Sequence, residues 1–303
     1  MLLISYLQLL FPKGSLDPGV LVLFIAAFML GIIFVSEGIT WRLKRQSLIS
    51  EIRRSRQNLI SFLAVSTAGG LLFEGIVKWL GKLVIYPYLD MPIYLVIFIP
   101  GFALYWLMVL ESYLAVKTTV DFLHNGRKTI GAYLKFEPLL YKLLGIAGVS
   151  LILMSILFVV QDYASYSQNT IISIQDLGAQ TINYKIAFFH VFILFLGMWL
   201  ILEFIEYARK KTSLLKDIIH SYFSPLVSIL VGSFLVAIFM ESQNVLHGYW
   251  MYIDIPFEEF EFFGLSPLVL MMGWPVHYIY FLSLFRAFTG KESDEIWRGD
   301  RIP

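Results

Sequence analysis

The chain contains no cysteine, which excludes disulfides, thiolate metal sites and cysteine nucleophiles together. Charge is scarce as well. Asp, Glu, Lys and Arg make up 15% of the residues, against roughly 25% in an average soluble domain, and the net charge is only +1. No excess of either sign marks a nucleic acid as partner. No HExxH or similar metal-ligand spacing occurs, so no metal is expected. The segment "MLLISYLQLLFPKGS" has neither the basic leader nor the small-residue cleavage site of a signal peptide, and it reads as an interfacial segment kept on the protein.

In place of charge there is apolar surface. Hydrophobic residues are 58% of the chain and the mean hydropathy is +0.74, which describes an integral membrane protein. Seven segments are long enough to cross a hydrocarbon core, which takes roughly 20 residues of helix. They cover 20–41, 59–80, 92–116, 139–160, 186–207, 225–245 and 263–285. The expected fold is all-α: a multi-pass protein of the cell membrane with seven transmembrane helices in one membrane domain.

Lys and Arg are retained on the cytoplasmic side, so their positions predict orientation. Basic residues follow span 1 (Arg42, Lys44, Arg45, Arg53, Arg54, Arg56), span 3 (Lys117, Arg127, Lys128, Lys135, Lys142), span 5 (Arg209, Lys210, Lys211, Lys216) and span 7 (Arg286, Lys291, Arg298, Arg301). Only Lys13, Lys78, Lys82 and Lys185 fall elsewhere. The N-terminus is expected outside, the C-terminus and a tail at 289–303 in the cytoplasm.

The sequence also resembles itself. At one constant offset Glu37, Ile39, Lys44, Ser47, Leu48, Ile52 and Ser55 recur as Glu203, Ile205, Lys210, Ser213, Leu214, Ile218 and Ser221. Glu74 and Glu241, Gly81 and Gly248, and Pro100 and Pro267 follow at one residue more, Trp106 and Trp274 at two. This pattern predicts two parallel three-helix repeats, 18–122 and 184–288, joined by helix 4 at about 138–161. A site is then expected between the halves.

Ionisable residues inside spans are costly and point to function by default. Glu37, Glu111, Glu203 and Glu206 lie near inner span ends, where Arg42, Lys44, Arg209 and Lys210 offer structural ion pairs. Glu74 and Glu241 hold equivalent places at the outer ends of spans 2 and 6. Each reads either as a helix-tethering hydrogen-bond group or as an acid in an apolar pocket. His277, one turn after Trp274, reads as an interhelical hydrogen-bond partner or a proton relay. The run "IPFEEFEFFG" from Ile255 reads as a short interfacial helix starting at Pro256, with Glu258 and Glu259 at its positive end. Tyr86, Tyr88, Tyr249, Trp250 and Tyr252 suit an aromatic belt.

Glu241, Gly248, Trp250 and Tyr252, followed by "PFEEFEFF" from Pro256, resemble the membrane-embedded lycopene cyclases and the carotenoid hydratases. The likeness spans mainly 241–274, with an echo at 74–106. It implies an enzyme that protonates a double bond of a polyisoprenoid, with no nucleophile or cofactor. It further implies Glu241 as proton donor, Glu258 and Glu259 as catalytic carboxylates, and Trp250 as a wall that stabilises the cation. Glu74 is the matching acid of the first repeat. Tyr252, Trp274, Trp106 and His277 are the remaining candidate substrate contacts. The expected partners are an apolar lipid or polyisoprenoid and the membrane lipids, and a homo-oligomer is compatible with the sequence.

The rival expectation is a small-solute transporter, since paired spans with Pro100 and Pro267 suit alternating access. Few Asn, Gln or Ser side chains lie in the spans to bind a polar solute, Asn244 being the main exception. Span 7 has no lysine, which excludes a retinal Schiff base there.

Overall fold

A computed structural model describes residues 2–10, 17–45, 47–86, 91–123, 135–165, 186–253, 255–257 and 260–289. Ten α-helices are described: α1 (Leu2–Ser5), α2 (Pro18–Lys44), α3 (Leu48–Arg53), α4 (Arg56–Glu74), α5 (Met91–Leu123), α6 (Glu137–Ser165), α7 (Phe188–Ala208), α8 (Leu214–Ile219), α9 (Ser224–His247) and α10 (Trp274–Phe288). Two strands of two residues, β1 (Val84–Ile85) and β2 (Met251–Tyr252), are the only described sheet.

Local chemistry sets the ends of these helices. Asp17 caps α2, its carboxylate accepting from the Gly19 amide at 2.8 Å, and Pro18 begins the first turn. Ser47 and Ser213 cap the two short helices α3 and α8 in the same way. Gly248 (φ 69°) ends α9 in the left-handed conformation, its amide donating to Asn244 O.

Six helical segments are long and apolar enough to cross a membrane: Gly19–Lys44, Arg56–Leu80, Leu95–Leu123, Glu137–Ser165, Phe188–Ala208 and Ser224–Val245. The segment predicted at 263–285 differs. Phe263 (φ 52°) and Gly264 (φ 72°) make a turn in which Phe262 pairs with Leu265, so the helix starts later. It then opens through a π-helical turn, Val269–Gly273, before the 15-residue α10. Of the run 255–264 expected as an interfacial helix, Pro256 and Phe257 lie in a turn, Phe260 is in a 3-10 turn and Phe263 and Gly264 form the turn just described, while Glu258 and Glu259 lie outside the described residues. The N-terminal segment is not merely interfacial: it packs on α2, with Leu2 against Gly31, and buries Gln8.

α5 is the central helix. Trp106, Met108, Val109, Leu110, Tyr113 and Leu114 are all at most 2% exposed. Packing runs in matching pairs: α2 on α5 and α7 on α10, α4 on α5 and α9 on α10, α5 on α9 and α10 on α4. β1 and β2 pair antiparallel, Val84 opposite Tyr252 and Ile85 opposite Met251. α6 packs on α7, where Gly148 and Gly197 let the two backbones meet, and its other side shows Leu143, Ile146, Leu153 and Leu157 to the surroundings.

Two of the inner carboxylates, Glu203 and Glu206, have partners other than the basic residues that follow them in sequence. Glu206 accepts from Arg286 Nε at 2.9 Å, both side chains fully buried. Glu203 accepts from Trp199 Nε1 at 3.0 Å. Arg209 and Lys211 turn to the carbonyls that end α10, Arg209 to Ala287 O and Lys211 to Arg286 O and Thr289 O. At the same end, Asp121 of α5 accepts from Lys117 at 2.8 Å and from the hydroxyls of Tyr222 and Ser224. Burial, then the Asp121 charge, pushes the Tyr222 phenol up, which keeps it a donor to that carboxylate.

Candidate functional site

A cavity of about 520 Å³ lies in the half of the molecule opposite the basic loops. Its wall is built by the first turns of α2, the last turns of α4, the middle of α5, the first turns of α7, the β1–β2 ribbon and the start of α10. Aliphatic and aromatic side chains dominate it, Ile25, Met29, Phe73, Phe98, Phe102 and Phe195 among them. Among the described residues none in the lining is Ser, Thr, Asn, Gln, Asp, Lys or Arg, and the single ionisable carboxyl in the wall is Glu74.

Glu74 ends α4 where the π-helical turn Gly75–Leu80 begins, and it is buried. The Tyr86 hydroxyl donates to its Oε1 at 2.8 Å. Lys78, one turn on, sets its ammonium over the Tyr86 ring, 4.7 Å from the centroid.

Glu241 stands behind the wall. Its Oε1 accepts from the Tyr252 hydroxyl at 2.5 Å and from Trp274 Nε1 at 2.9 Å, and those two aromatic residues face the cavity. Burial, followed by the Glu241 charge, pushes the Tyr252 phenol well up, so it stays a donor. Trp250 also lines the cavity, its amide donating to Asn244 Oδ1 at 2.8 Å. Beside it Tyr249 donates to Gln8 Oε1, and Gln8 Nε2 donates to Gln243 Oε1 at 3.1 Å, so the N-terminal segment clasps this loop.

His277 is in the wall too. Its ring lies parallel to Phe73 (3.9 Å between centroids, 6° between planes), with Phe281 edge-on. Nδ1 is 3.2 Å from the Tyr105 hydroxyl, and Nε2 is buried with no hydrogen-bond partner among the described residues.

Of the residues singled out in the sequence, Glu74, Trp250, Tyr252, Trp274 and His277 thus meet at one cavity, with Glu241 directly behind. Trp106 does not line it: fully buried, it stacks on Phe281, a lining residue, and fills the space left by Gly69. Glu258 and Glu259 lie outside the described residues. Tyr105 and Phe73 were not singled out, because in a helix apolar on all sides nothing in sequence tells which side meets a cavity. Among the described residues no three His, Cys, Asp or Glu side chains converge as metal ligands.

Comparison with known proteins adds no relative: no family model matches the chain, and no curated protein or solved structure is significantly similar to it.

Proposed function

We propose that the protein is an intramembrane enzyme that takes an apolar polyisoprenoid of carotenoid type into this cavity and protonates one of its double bonds. The observation that carries this reading is the wall itself: among the described residues one carboxyl, Glu74, set in an otherwise aliphatic and aromatic surface. A volume of about 520 Å³ falls within the usual range for small-molecule sites. Among the described lining residues a polar solute would find no Ser or Thr hydroxyl, no Asn or Gln amide and no Lys or Arg, which disfavours the transporter.

In the proposed reaction Glu74 delivers its proton to a terminal carbon–carbon double bond, forming a C–H bond and a tertiary carbocation. The faces of Phe73, Tyr105 and Trp274 stabilise that cation. For cyclisation, a neighbouring double bond attacks it, forming a C–C bond, and a proton lost from the adjacent carbon returns to the Glu74 carboxylate. For hydration, water adds to the cation and its surplus proton returns to Glu74. Glu241 acts through Tyr252 and Trp274, which it holds in place.

The same proposal includes seven spans, with the N-terminus outside and the C-terminus cytoplasmic. The π-helical turn and α10 together run twenty residues, about 30 Å of helix, enough for the seventh crossing. Two three-helix repeats about a pseudo-two-fold axis account for the paired packing, the Ser-capped helices α3 and α8, and the ribbon.

The test is expression in bacteria that accumulate acyclic carotenoids, with extracts resolved by chromatography and mass. A product of unchanged mass identifies cyclisation; one heavier by a water identifies hydration. No product from membrane-inserted protein on several acyclic carotenoids overturns the proposal.

A further inference from the structure

The proposed reaction needs only the end of a long chain, and the wall indicates where the rest of that chain goes. A Cβ added to Gly38 or to Gly101 would meet no heavy atom within 4 Å beyond its own stretch of helix. Gly38 is on the exposed side of α2, whereas Gly101 is in the cavity wall. Around it on α5, Ile97, Phe98, Leu104 and Tyr105 stand three or four residues away and all line the cavity, so Gly101 is the recess at the centre of that face. Pro100 beside it lines the cavity and is exposed as well, one turn after Val96, which is 74% exposed. The wall thus runs from Tyr105 over Gly101 to the outward side of α5.

α2 stands on the other side of this recess. Lys44 and Asp121, 3.4 Å apart, join the inner ends of α2 and α5. Counting back along both helices from that contact, Ala26 and Gly101 come to about the same level. There Val22, Ala26 and Met29 line the cavity and are only half-buried, while Phe28 and Ile33 are closed in at 1% exposure. The two helices are therefore joined at the inner end and leave a slot in the outer half, floored by a residue with no side chain.

We propose that the site holds a long hydrocarbon chain by one end, the remainder passing over Gly101, between α2 and α5, into the bilayer, and that Gly101 determines specificity for such chains. A chain of carotenoid length approaches the thickness of the hydrocarbon core, about 30 Å. The cavity offers about 520 Å³ in one half of the bundle, so such a chain has to leave the wall. Only a glycine keeps that exit clear, because any larger residue at 101 projects into the slot. This inference rests on the isoprenoid reading and adds to it how the chain is held.

The experiment uses the full chain in lipid nanodiscs and two acyclic hydrocarbons, squalene and the shorter farnesene. Bound molecules are counted by native mass spectrometry at matched mole fraction in the bilayer, and the unaltered protein is expected to bind both. A side chain at 101 has open space to enter, so Gly101→Leu is expected to keep the thermal midpoint. It should weaken squalene binding by at least about tenfold and leave farnesene binding within about threefold. A second measurement, which decides alone if that variant does not fold, uses the unaltered protein. Squalene carrying a diazirine midway along its chain is expected, on irradiation, to mark 22–29 of α2 and 97–104 of α5. Marks on neither segment, or a folded Gly101→Leu that binds squalene as before or loses both probes alike, overturn the inference and leave the isoprenoid cavity standing. Farnesene binding without squalene binding shows a cavity that encloses its ligand whole, and it overturns the inference too. Binding of neither probe overturns the isoprenoid reading, and the inference with it.

Discussion

Tyr252 donates its hydroxyl proton to Glu241 across 2.5 Å from a strand that also pairs with Val84, so the acid of one half of the chain is tied to the backbone of the other. Trp274 Nε1 holds the same oxygen at 2.9 Å. Two aromatic side chains thereby stand between Glu241 and the cavity, whereas Glu74 is in its wall.

The two acids are expected to behave differently when replaced. Glu74→Gln keeps an oxygen for the Tyr86 hydroxyl but loses the transferable proton, and product formation should fall by about 10²–10⁴, the usual contribution of general acid catalysis. Glu241→Gln keeps an acceptor for both Tyr252 and Trp274, and its loss should stay within about tenfold, one hydrogen bond's worth of wall geometry. Pigment yield at matched protein level measures both. A larger loss in Glu241→Gln than in Glu74→Gln would reverse the assignment of proton donor.

Docking of α6 depends on two glycines. A Cβ on Gly148 would sit 2.8 Å from Gly197 O, and one on Gly197 would sit 2.9 Å from Gly148 O. Backbone on both sides leaves nothing flexible to move aside. Gly148→Val should destabilise the protein by about 1–3 kcal/mol, the range for overpacking, and lower its thermal midpoint in detergent. Gly38→Ala, inside α2 and with nothing within 4 Å of the added carbon, is the control and should leave the midpoint unchanged or slightly higher.

The buried Arg286–Glu206 pair should show strong coupling. Arg286→Met strands the Glu206 carboxylate in the interior, and a loss of about 3–5 kcal/mol is expected. Replacing both, with Glu206→Leu added, should recover most of it. A double-mutant cycle on thermal unfolding measures the coupling, and simple additivity would show that the two charges do not depend on each other.

Orientation can be read with reporters. Alkaline phosphatase, active only outside, should be inactive when fused after the C-terminus, and green fluorescent protein fused there should fluoresce. Activity of the phosphatase at that position would place the C-terminus outside and overturn the proposed orientation.

Long apolar runs made the six long spans legible in the sequence, because a membrane-crossing helix is set by length and hydropathy alone. The helix expected from 263 begins later. Phe263 and Gly264 adopt positive φ, which a hydropathy count cannot see, and the π-helical turn at Val269–Gly273 delays the regular helix further. Glu74 and Glu241 could be found as isolated acids at equivalent places in two similar stretches. Tyr105 could not, because its contact with His277 joins helices distant in sequence and α5 has no apolar side that differs from the rest. The same limit applies to Glu206, which ignores the nearby Arg209 and Lys210 and meets Arg286 of α10. Sequence neighbours compete with spatial ones, and inside a bundle the spatial ones win.

The ribbon has a symmetry of its own. Val84 faces Tyr252 and Ile85 faces Met251, and in the internal alignment Val84 corresponds to Met251 and Ile85 to Tyr252. Exchanging the two strands reproduces the same pairing. Under the proposed repeat the ribbon is therefore self-complementary, which is what a two-fold axis between the two halves requires.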